Sequence, residues 1–128
     1  MSTPTTPRVA SFHRWTDVPR EQVKPDLARR LITGERVMVA QIELQRGCIV
    51  PQHMHVHEQI SYVLQGRLEL TLGEKTPERY ELAAGDILVI PSNLPHSARA
   101  LEDTLVVDVF SPPREDWLNK TDAYLRSR

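Results

Sequence analysis

Three of the five histidines and one glutamine alternate within a short stretch of the chain: His53, His55, His57 and Gln59. Alternate side chains of an extended segment project from one face, so neighbouring imidazoles at this spacing can bind one ion. Neutral imidazole is the commonest metal ligand in proteins. A solvated, histidine-rich loop is the alternative explanation. The bracketing glycines, Gly47 and Gly66, and the strand-like residues 61–64 favour a metal site.

A second stretch, from Gly85 to His96, contains a turn, an apolar strand and a proline-containing loop that ends at a histidine. The two stretches have the spacing of the paired motifs of the cupin superfamily, which this sequence therefore resembles. The residues that match the motifs are Gly47, His53, His55, Gln59, Gly66, Gly85, Pro91 and His96. The resemblance implies an all-β fold, namely a small jelly-roll (cupin) β-barrel.

The resemblance also implies a site for one divalent metal ion, with these ligands: His53, His55, Gln59 and His96. Three imidazoles and an amide oxygen leave coordination positions open, as a catalytic site requires. The superfamily usually has glutamate where this chain has Gln59, so the site keeps both charges of the ion and favours an anionic substrate. This ligand set suits Mn, Fe, Ni or Zn. The superfamily spacing skips His57, which we expect to line the pocket or to bind Glu58.

One charged residue interrupts an apolar strand near the end of the chain, where Asp108 lies between two valines. A buried carboxylate is costly unless it is paired or takes part in chemistry. Phe110 shares the face of Asp108, and Arg114 follows a Pro-Pro turn that can fold it back over the barrel mouth. These residues are candidates for catalysis, and a structural Asp–Arg pair at the barrel rim is the alternative.

The motifs together resemble a narrower group, the small cupins of pectin and alginate breakdown. The resemblance rests on the sets HxHxHxQ, IPSNxPH and DVFSPPRED and extends over roughly residues 31–117. Those enzymes convert 4,5-unsaturated uronates into the open-chain 5-keto-4-deoxyuronate form. The resemblance implies a metal-dependent isomerase- or lyase-type enzyme with a small anionic organic substrate, in which Asp108, Phe110 and Arg114 are the catalytic residues.

Three other functions are compatible with the same residues. A metal-dependent dioxygenase would use these ligands and consume O₂. A polyketide-cyclase or lyase-type cupin uses a similar set of histidines and glutamine. A non-catalytic small-molecule-binding cupin, such as a sugar sensor, usually carries a helix-turn-helix, and the proline-interrupted residues that precede the barrel do not supply one.

Outside the motifs, alternating hydrophobicity and turn residues predict a series of short strands. The predicted strands cover residues 36–44, 59–64, 67–72, 79–84, 87–90, 97–101 and 104–110. The continuous apolar run 87–90 predicts a strand that is buried on both faces. Residues 118–128 are expected to form a turn or two of helix.

The chain has 128 residues, enough for one domain. We expect an N-terminal extension over residues 1–30, a cupin barrel over 31–112 and a C-terminal tail over 113–128. The first ten residues are rich in Thr and Pro and are expected to be loosely ordered, and the rest of the extension is expected to pack on the barrel or on a partner. The resemblance and this extension together predict a homodimer.

Composition excludes several classes of partner. The net charge of −1 and the lack of a long basic run argue against nucleic acid. No apolar stretch approaches the roughly 18 residues of a membrane span. The single cysteine, Cys48, and a start without a signal-peptide pattern favour the cytoplasm. The apolar neighbours of Cys48 predict a packed thiol rather than a reactive one.

Overall fold

In the computed structural model, which describes residues 9–126, the chain folds into two facing antiparallel sheets. The strands are β1 (Glu21–Lys24), β2 (Leu27–Thr33), β3 (Met38–Leu44), β4 (Ile49–His53), β5 (Glu58–Gln65), β6 (Arg67–Leu72), β7 (Glu78–Ala83), β8 (Ile87–Ile90), β9 (His96–Ala100) and β10 (Thr104–Ser111). The six-stranded sheet has the order β1-β2-β3-β10-β5-β8, and the four-stranded sheet has the order β4-β9-β6-β7. The predicted all-β jelly-roll fold is confirmed.

Two one-turn helices, α1 (Glu115–Leu118) and α2 (Ala123–Arg126), follow the last strand. The short helix predicted near the end of the chain is therefore present, although it is preceded by a second one. Within residues 9–126, no helix has the length and apolar character that crossing a membrane requires.

The core lies between the two sheets and follows from the alternation of apolar residues along the strands. β3 buries every second residue, and the apolar face of β6 meets it from the other sheet. These two strands contribute Met38, Ala40, Ile42, Leu44, Leu68, Leu70 and Leu72 to the core. Burial of one large aliphatic side chain contributes roughly 1.5–3 kcal/mol. Cys48 is also fully buried, and burial raises the pKa of its thiol to about 12, so the prediction of a packed thiol is confirmed.

The seven predicted strands all form, and those at 67–72 and 87–90 have the predicted bounds. The predicted burial of β8 is wrong, because the side chains of Ile87 and Val89 are 61% and 52% exposed. β8 is the edge strand of the six-stranded sheet, and within residues 9–126 it pairs only with β5. An apolar run therefore does not distinguish a central strand from an edge strand with an apolar outer face.

Three strands were not predicted: β1, β2 and β4. Residues 21–24 and 27–30 of the expected N-terminal extension belong to β1 and β2, and β2 pairs with β3 along its whole length. The charged sequence of β2 does not indicate a buried face, because one of its inward side chains is an arginine. Arg29 is fully buried there against Asp122. Of the ten residues expected to be loosely ordered, residues 1–8 lie outside the described part of the chain.

The tight turn between β5 and β6 requires glycine at position 66. Gly66 has φ of +89°, a conformation that residues with a side chain rarely adopt. A Cβ at this position would also collide with the backbone at Asp103 and Thr104. The turn sets the direction of β6 as it leaves the six-stranded sheet for the four-stranded one.

Candidate metal centre

Three histidines from two separate parts of the chain meet at one end of the space between the sheets. His53 ends β4, His55 lies in the loop that follows, and His96 begins β9. His53 and His96 are register partners in the four-stranded sheet. One ring nitrogen from each of the three lies within 4.8 Å of the others, a cluster that can hold a metal ion.

Backbone carbonyl groups fix the orientation of each ring in this cluster. The Nδ1 atom of His53 lies 2.8 Å from the oxygen of Pro51, and that of His96 lies 2.8 Å from the oxygen of Leu94. The Nδ1 atom of His55 lies 3.0 Å from the oxygen of His57. A carbonyl oxygen only accepts, so each Nδ1 carries the proton and each Nε2 keeps its lone pair free for a metal, as in known metal sites.

Two further observations fit a bound cation. The Nε2 atom of His96 is buried and has no hydrogen-bond partner. Metal-binding histidines must be neutral. Burial lowers the pKa of His53 to about 3 and that of His55 to about 4, and it also lowers the pKa of His96. The three rings are therefore uncharged at neutral pH and suit a divalent ion.

Gln59 joins the histidine cluster to a buried carboxylate. Its Oε1 atom lies 3.1 Å from Nε2 of His55, and its amide nitrogen donates to Oγ of Ser61 at 3.0 Å. Ser61 in turn donates to Oδ1 of Asp108 at 2.6 Å. The bond to Ser61 directs the amide oxygen of Gln59 towards the histidines. Ser61 was not among the residues predicted for the site, although it lies two residues after Gln59 and therefore on the same face of the strand.

Asp108 is buried on β10, where its register partner in β5 is Ser61. Burial raises the pKa of this carboxyl to about 6, although the hydrogen bond from Ser61 and the charge of Arg114 oppose the rise. Arg114 makes its salt bridge with Asp116, so the Asp108–Arg114 rim pair considered from the sequence does not form between these described side chains. A carboxyl group with this pKa can exchange a proton near neutral pH.

Arg114 folds back over the site, as the sequence suggested, and is only 2% exposed. Its Nε and Nη2 atoms donate to the carboxylate of Asp116 at 3.0 and 2.9 Å, and Nη2 also donates to Oη of Tyr124 at 3.0 Å. Its Nη1 atom is buried without a partner. The guanidinium lies over the rings of Phe110 and Trp117, at 5.0 and 4.7 Å from their centroids.

Phe110 forms an apolar wall between the histidines and the C-terminal segment. Its ring contacts His55 edge-on at 5.9 Å and Trp117 at 5.0 Å. His57 lies outside the ligand cluster, edge-on to His55 at 5.4 Å, and is not among the residues that line the cavity. The expectation that His57 lines the pocket or binds Glu58 stays a prediction.

The C-terminal segment, residues 115–126, covers the mouth of the cavity, a feature that was not predicted from the sequence. Tyr124 stacks on His53 with ring centroids 4.3 Å apart. The segment is attached through a buried ion pair between Asp122 and Arg29 at 2.8 Å. Trp117 lies beneath Arg29, 4.4 Å from the guanidinium. The cavity that remains has a volume of about 50 Å³ and is lined by His53, Gln59, Ser61, His96, Asp108, Phe110, Arg114 and Tyr124 among others.

Comparison with known proteins agrees with this architecture. Residues 40–111 match the cupin domain family. The pectin degradation protein KdgF of Dickeya dadantii (strain 3937) is 32% identical over 106 residues, which cover 80% of this chain and 93% of that protein. The structure of KdgF from Halomonas sp. is similar with a TM-score of 0.78 and 35% identity, and the match covers 85% of this chain and 99% of that one.

A second relative has a different reaction in its name. Quercetin 2,3-dioxygenase of Bacillus subtilis (strain 168) is 40% identical over 80 residues, or 61% of this chain. That match covers only 23% of the dioxygenase, so the similarity concerns one part of a much longer protein. The shared family, the two facing sheets and the histidine cluster lead to one identification: this chain belongs to the cupin family.

Proposed function

We propose that this cupin is a metal-dependent enzyme that opens the ring of 4,5-unsaturated uronates to give the 5-keto-4-deoxyuronate form. The observation that carries the proposal is a series of polar contacts that runs from the histidine cluster to the buried Asp108. The amide oxygen of Gln59 lies 3.1 Å from Nε2 of His55, and hydrogen bonds lead from Gln59 to Ser61 and from Ser61 to Asp108. This series connects a candidate metal site directly to a carboxyl group that can exchange protons. Similarity to two KdgF proteins, one of them named for pectin degradation, supports the choice of substrate class.

The proposed ligands of one divalent ion are His53, His55, Gln59 and His96. The ion would be Mn, Fe, Ni or Zn. When bound, it would supply Lewis-acid stabilisation of the negative charge that develops on the ring oxygen of the substrate. Gln59 adds no charge of its own, so the site retains the full positive charge of the ion and favours a uronate anion.

Asp108 would act as the general acid/base. Ring opening requires loss of the proton from the anomeric hydroxyl, cleavage of the bond between the anomeric carbon and the ring oxygen, and delivery of a proton to the carbon that was C4 of the alkene. The proton removed equals the proton added, so the reaction is an isomerisation without a co-reactant. The hydrogen bond from Ser61 holds the carboxyl of Asp108 at a fixed position for both transfers.

Arg114 and Phe110 would orient the substrate. The unpartnered Nη1 of Arg114 is a buried donor at the cavity, and a substrate carboxylate would satisfy it. The ring of Phe110 excludes water from the side of the site that faces the C-terminal segment. These assignments of Asp108, Phe110 and Arg114 are part of the proposal.

The test is a spectrophotometric assay of unsaturated monomers derived from galacturonate and mannuronate, which follows the loss of the conjugated alkene. We expect chelator-treated protein to be inactive and protein reloaded with a divalent metal to accelerate the loss well above the spontaneous rate. The control is the same metal without protein. Fully loaded protein that gives only the spontaneous rate would exclude uronate ring opening.

Similarity to quercetin 2,3-dioxygenase supports a second candidate, a metal-dependent dioxygenase. The two functions differ in one measurable respect, because ring opening of a uronate consumes no O₂. An oxygen electrode in the same assay separates them, since uptake that accompanies substrate loss would favour the dioxygenase. The predicted domain bounds, the homodimer and the cytoplasmic location stay predictions.

A further inference from the structure

Tyr124 accepts two hydrogen bonds from groups that can only donate. The Nη2 atom of Arg114 lies 3.0 Å from its Oη, and Nε1 of Trp117 lies 3.1 Å from the same atom. Neither guanidinium nor indole nitrogen can accept a hydrogen bond, so the phenolic oxygen is the acceptor in both. Its own proton is then left over, and no described residue accepts it.

A second donor without an acceptor lies on the same guanidinium. Nη1 of Arg114 is buried and has no hydrogen-bond partner, although the other nitrogens of the group are held by Asp116 and Tyr124. Tyr124 and Arg114 both line the cavity, together with His53 and His96 of the histidine cluster. Buried donors are nearly always satisfied in folded proteins, so the buried Nη1 of Arg114, with the free hydroxyl proton of the half-buried Tyr124 on the same guanidinium, indicates a ligand that brings acceptors.

We propose that Tyr124 is a substrate-binding residue, whose hydroxyl and the Nη1 atom of Arg114 together form a two-donor site for the carboxylate of a sugar acid. A carboxylate has two oxygens and only accepts, which complements two donors and the adjacent positive charge. The proposal deepens the proposed function and rests on it for the identity of the sugar. The stacking of Tyr124 on His53 keeps the hydroxyl at the mouth of the cavity.

Asp116 has a supporting role, as a positioning residue. Its two oxygens accept hydrogen bonds from Nε and Nη2 of Arg114, which leaves Nη1 as the guanidinium nitrogen that can donate to a ligand. Tyr124 and Asp116 both belong to the segment that covers the mouth, so that segment would complete the binding site as well as close it.

The test is binding of galacturonate, a saturated uronate that lacks the reacting alkene, measured by calorimetry on metal-loaded protein. We expect Tyr124→Phe to weaken the Kd about tenfold, because it keeps the stacked ring and removes a hydrogen bond to a charged group. For the methyl ester of galacturonate, which has no charge, Tyr124→Phe should weaken the Kd by a smaller factor. The matched control is Tyr80→Phe, since the hydroxyl of Tyr80 bonds Glu78 on an exposed strand away from the cavity.

The Nε–H resonance of Arg114 in NMR spectra separates a direct role from a structural one. Asp116 holds that group in both proteins, so in Tyr124→Phe the resonance should stay in the range of a carboxylate-bonded guanidinium. A resonance at the position of a free guanidinium, unchanged galacturonate binding in the variant, or a wild-type protein that does not bind galacturonate would each overturn the proposal. Because no turnover is measured, Tyr124-dependent binding without uronate ring opening would refute only the proposed reaction.

Discussion

The two ends of the interior between the sheets are built on the same strands but have opposite chemistry. Along the inward face of β5, Gln59 and Ser61 precede Val63, and along β10 the register partner of Ser61 is Asp108. One step further, Val63 pairs with Val106, and both valines are buried in the hydrophobic core. The inward-facing side chains therefore change from polar to apolar over two residues, which is one repeat of the alternation along a strand.

The four-stranded sheet also has a polar end at the site and an apolar end opposite to it. His96 is the register partner of Leu72 at the site end of β6, whereas Ala100 is the partner of Leu68 at the other end. Leu68 in turn pairs with Leu82 of β7. At the apolar end, stability comes from the removal of hydrocarbon from water. At the site end, polar groups stay buried with donors and lone pairs unsatisfied, which lowers stability and leaves the groups available for ligands.

The largest effect is expected from His96→Ala at the site end. Loss of one proposed ligand should weaken metal binding by more than roughly 100-fold and reduce turnover below detection. Substitution of a residue that only hydrogen-bonds a metal ligand already costs about 10- to 100-fold in metal affinity or activity, so loss of a ligand itself should cost more. Metal content by mass spectrometry and the alkene assay measure both.

His57→Ala is the matched control for that change, because His57 lies outside the ligand cluster and its hydrogen-bonding contact with His55 is made by its backbone oxygen, which the substitution keeps. The control variant should keep its metal and most of its activity. Equal metal loss in both variants would contradict the ligand assignment.

Asp108→Asn should lower turnover by roughly 10²- to 10⁴-fold, the usual contribution of a general acid/base, while the metal content stays unchanged. The assay and a metal analysis on the same sample test this pair of outcomes. Activity near that of the wild type would remove Asp108 from the mechanism.

The same variant tests the energetic side of the comparison. Burial raises the pKa of Asp108 from its ordinary value of 3.8 to about 6 in the folded, metal-free protein. The stabilisation from its protonation is complete below pH 3.8 and is lost as the pH rises through 6. Relative to Asp108→Asn, the wild-type free energy of unfolding should therefore fall between these limits by on the order of 3 kcal/mol. Urea unfolding of chelator-treated proteins across this range measures the difference.

Leu82→Ala tests the apolar end of the interior, where a substitution should lower stability but have the smallest effect on activity. Leu82 is buried in the core and does not line the cavity. The substitution should cost about 2–5 kcal/mol of unfolding free energy, because it leaves a cavity among packed side chains. Metal content and turnover at low temperature should stay near wild type. A specific loss of metal would mean that the two ends are coupled.

Local sequence patterns were sufficient for most strands and for part of the site. The alternation in β6 and the apolar run in β8 predicted their bounds, because side-chain period reports directly on an extended backbone. β2 was missed because its buried arginine, Arg29, looks like a surface residue until Asp122 is brought against it from 93 positions away. β4 carries a proline and two polar residues in five, and therefore has no clear period.

The residues of the site likewise fall into those that local sequence patterns predicted and those that they did not. The spacing of the histidines and Gln59 suggested ligands, but an extended segment with all four on one face is not what forms. His53 ends a strand of one sheet, and Gln59 lies in the other, with His55 in the loop between them. The role of Ser61 depends on its register with Asp108, and that of Tyr124 on a stacking contact with a histidine 71 positions earlier in the chain.

The sequence alone determined the class of fold, the residue types at the site and the isolated carboxylate in an apolar strand. These follow from side-chain chemistry and from a period of two, which are local properties. The tertiary structure decided which lone pairs and donors stay free, and that the C-terminal segment covers the cavity with Tyr124. Such contacts join residues far apart in the chain, and their free energy depends on how all the intervening elements pack, so no local pattern specifies them.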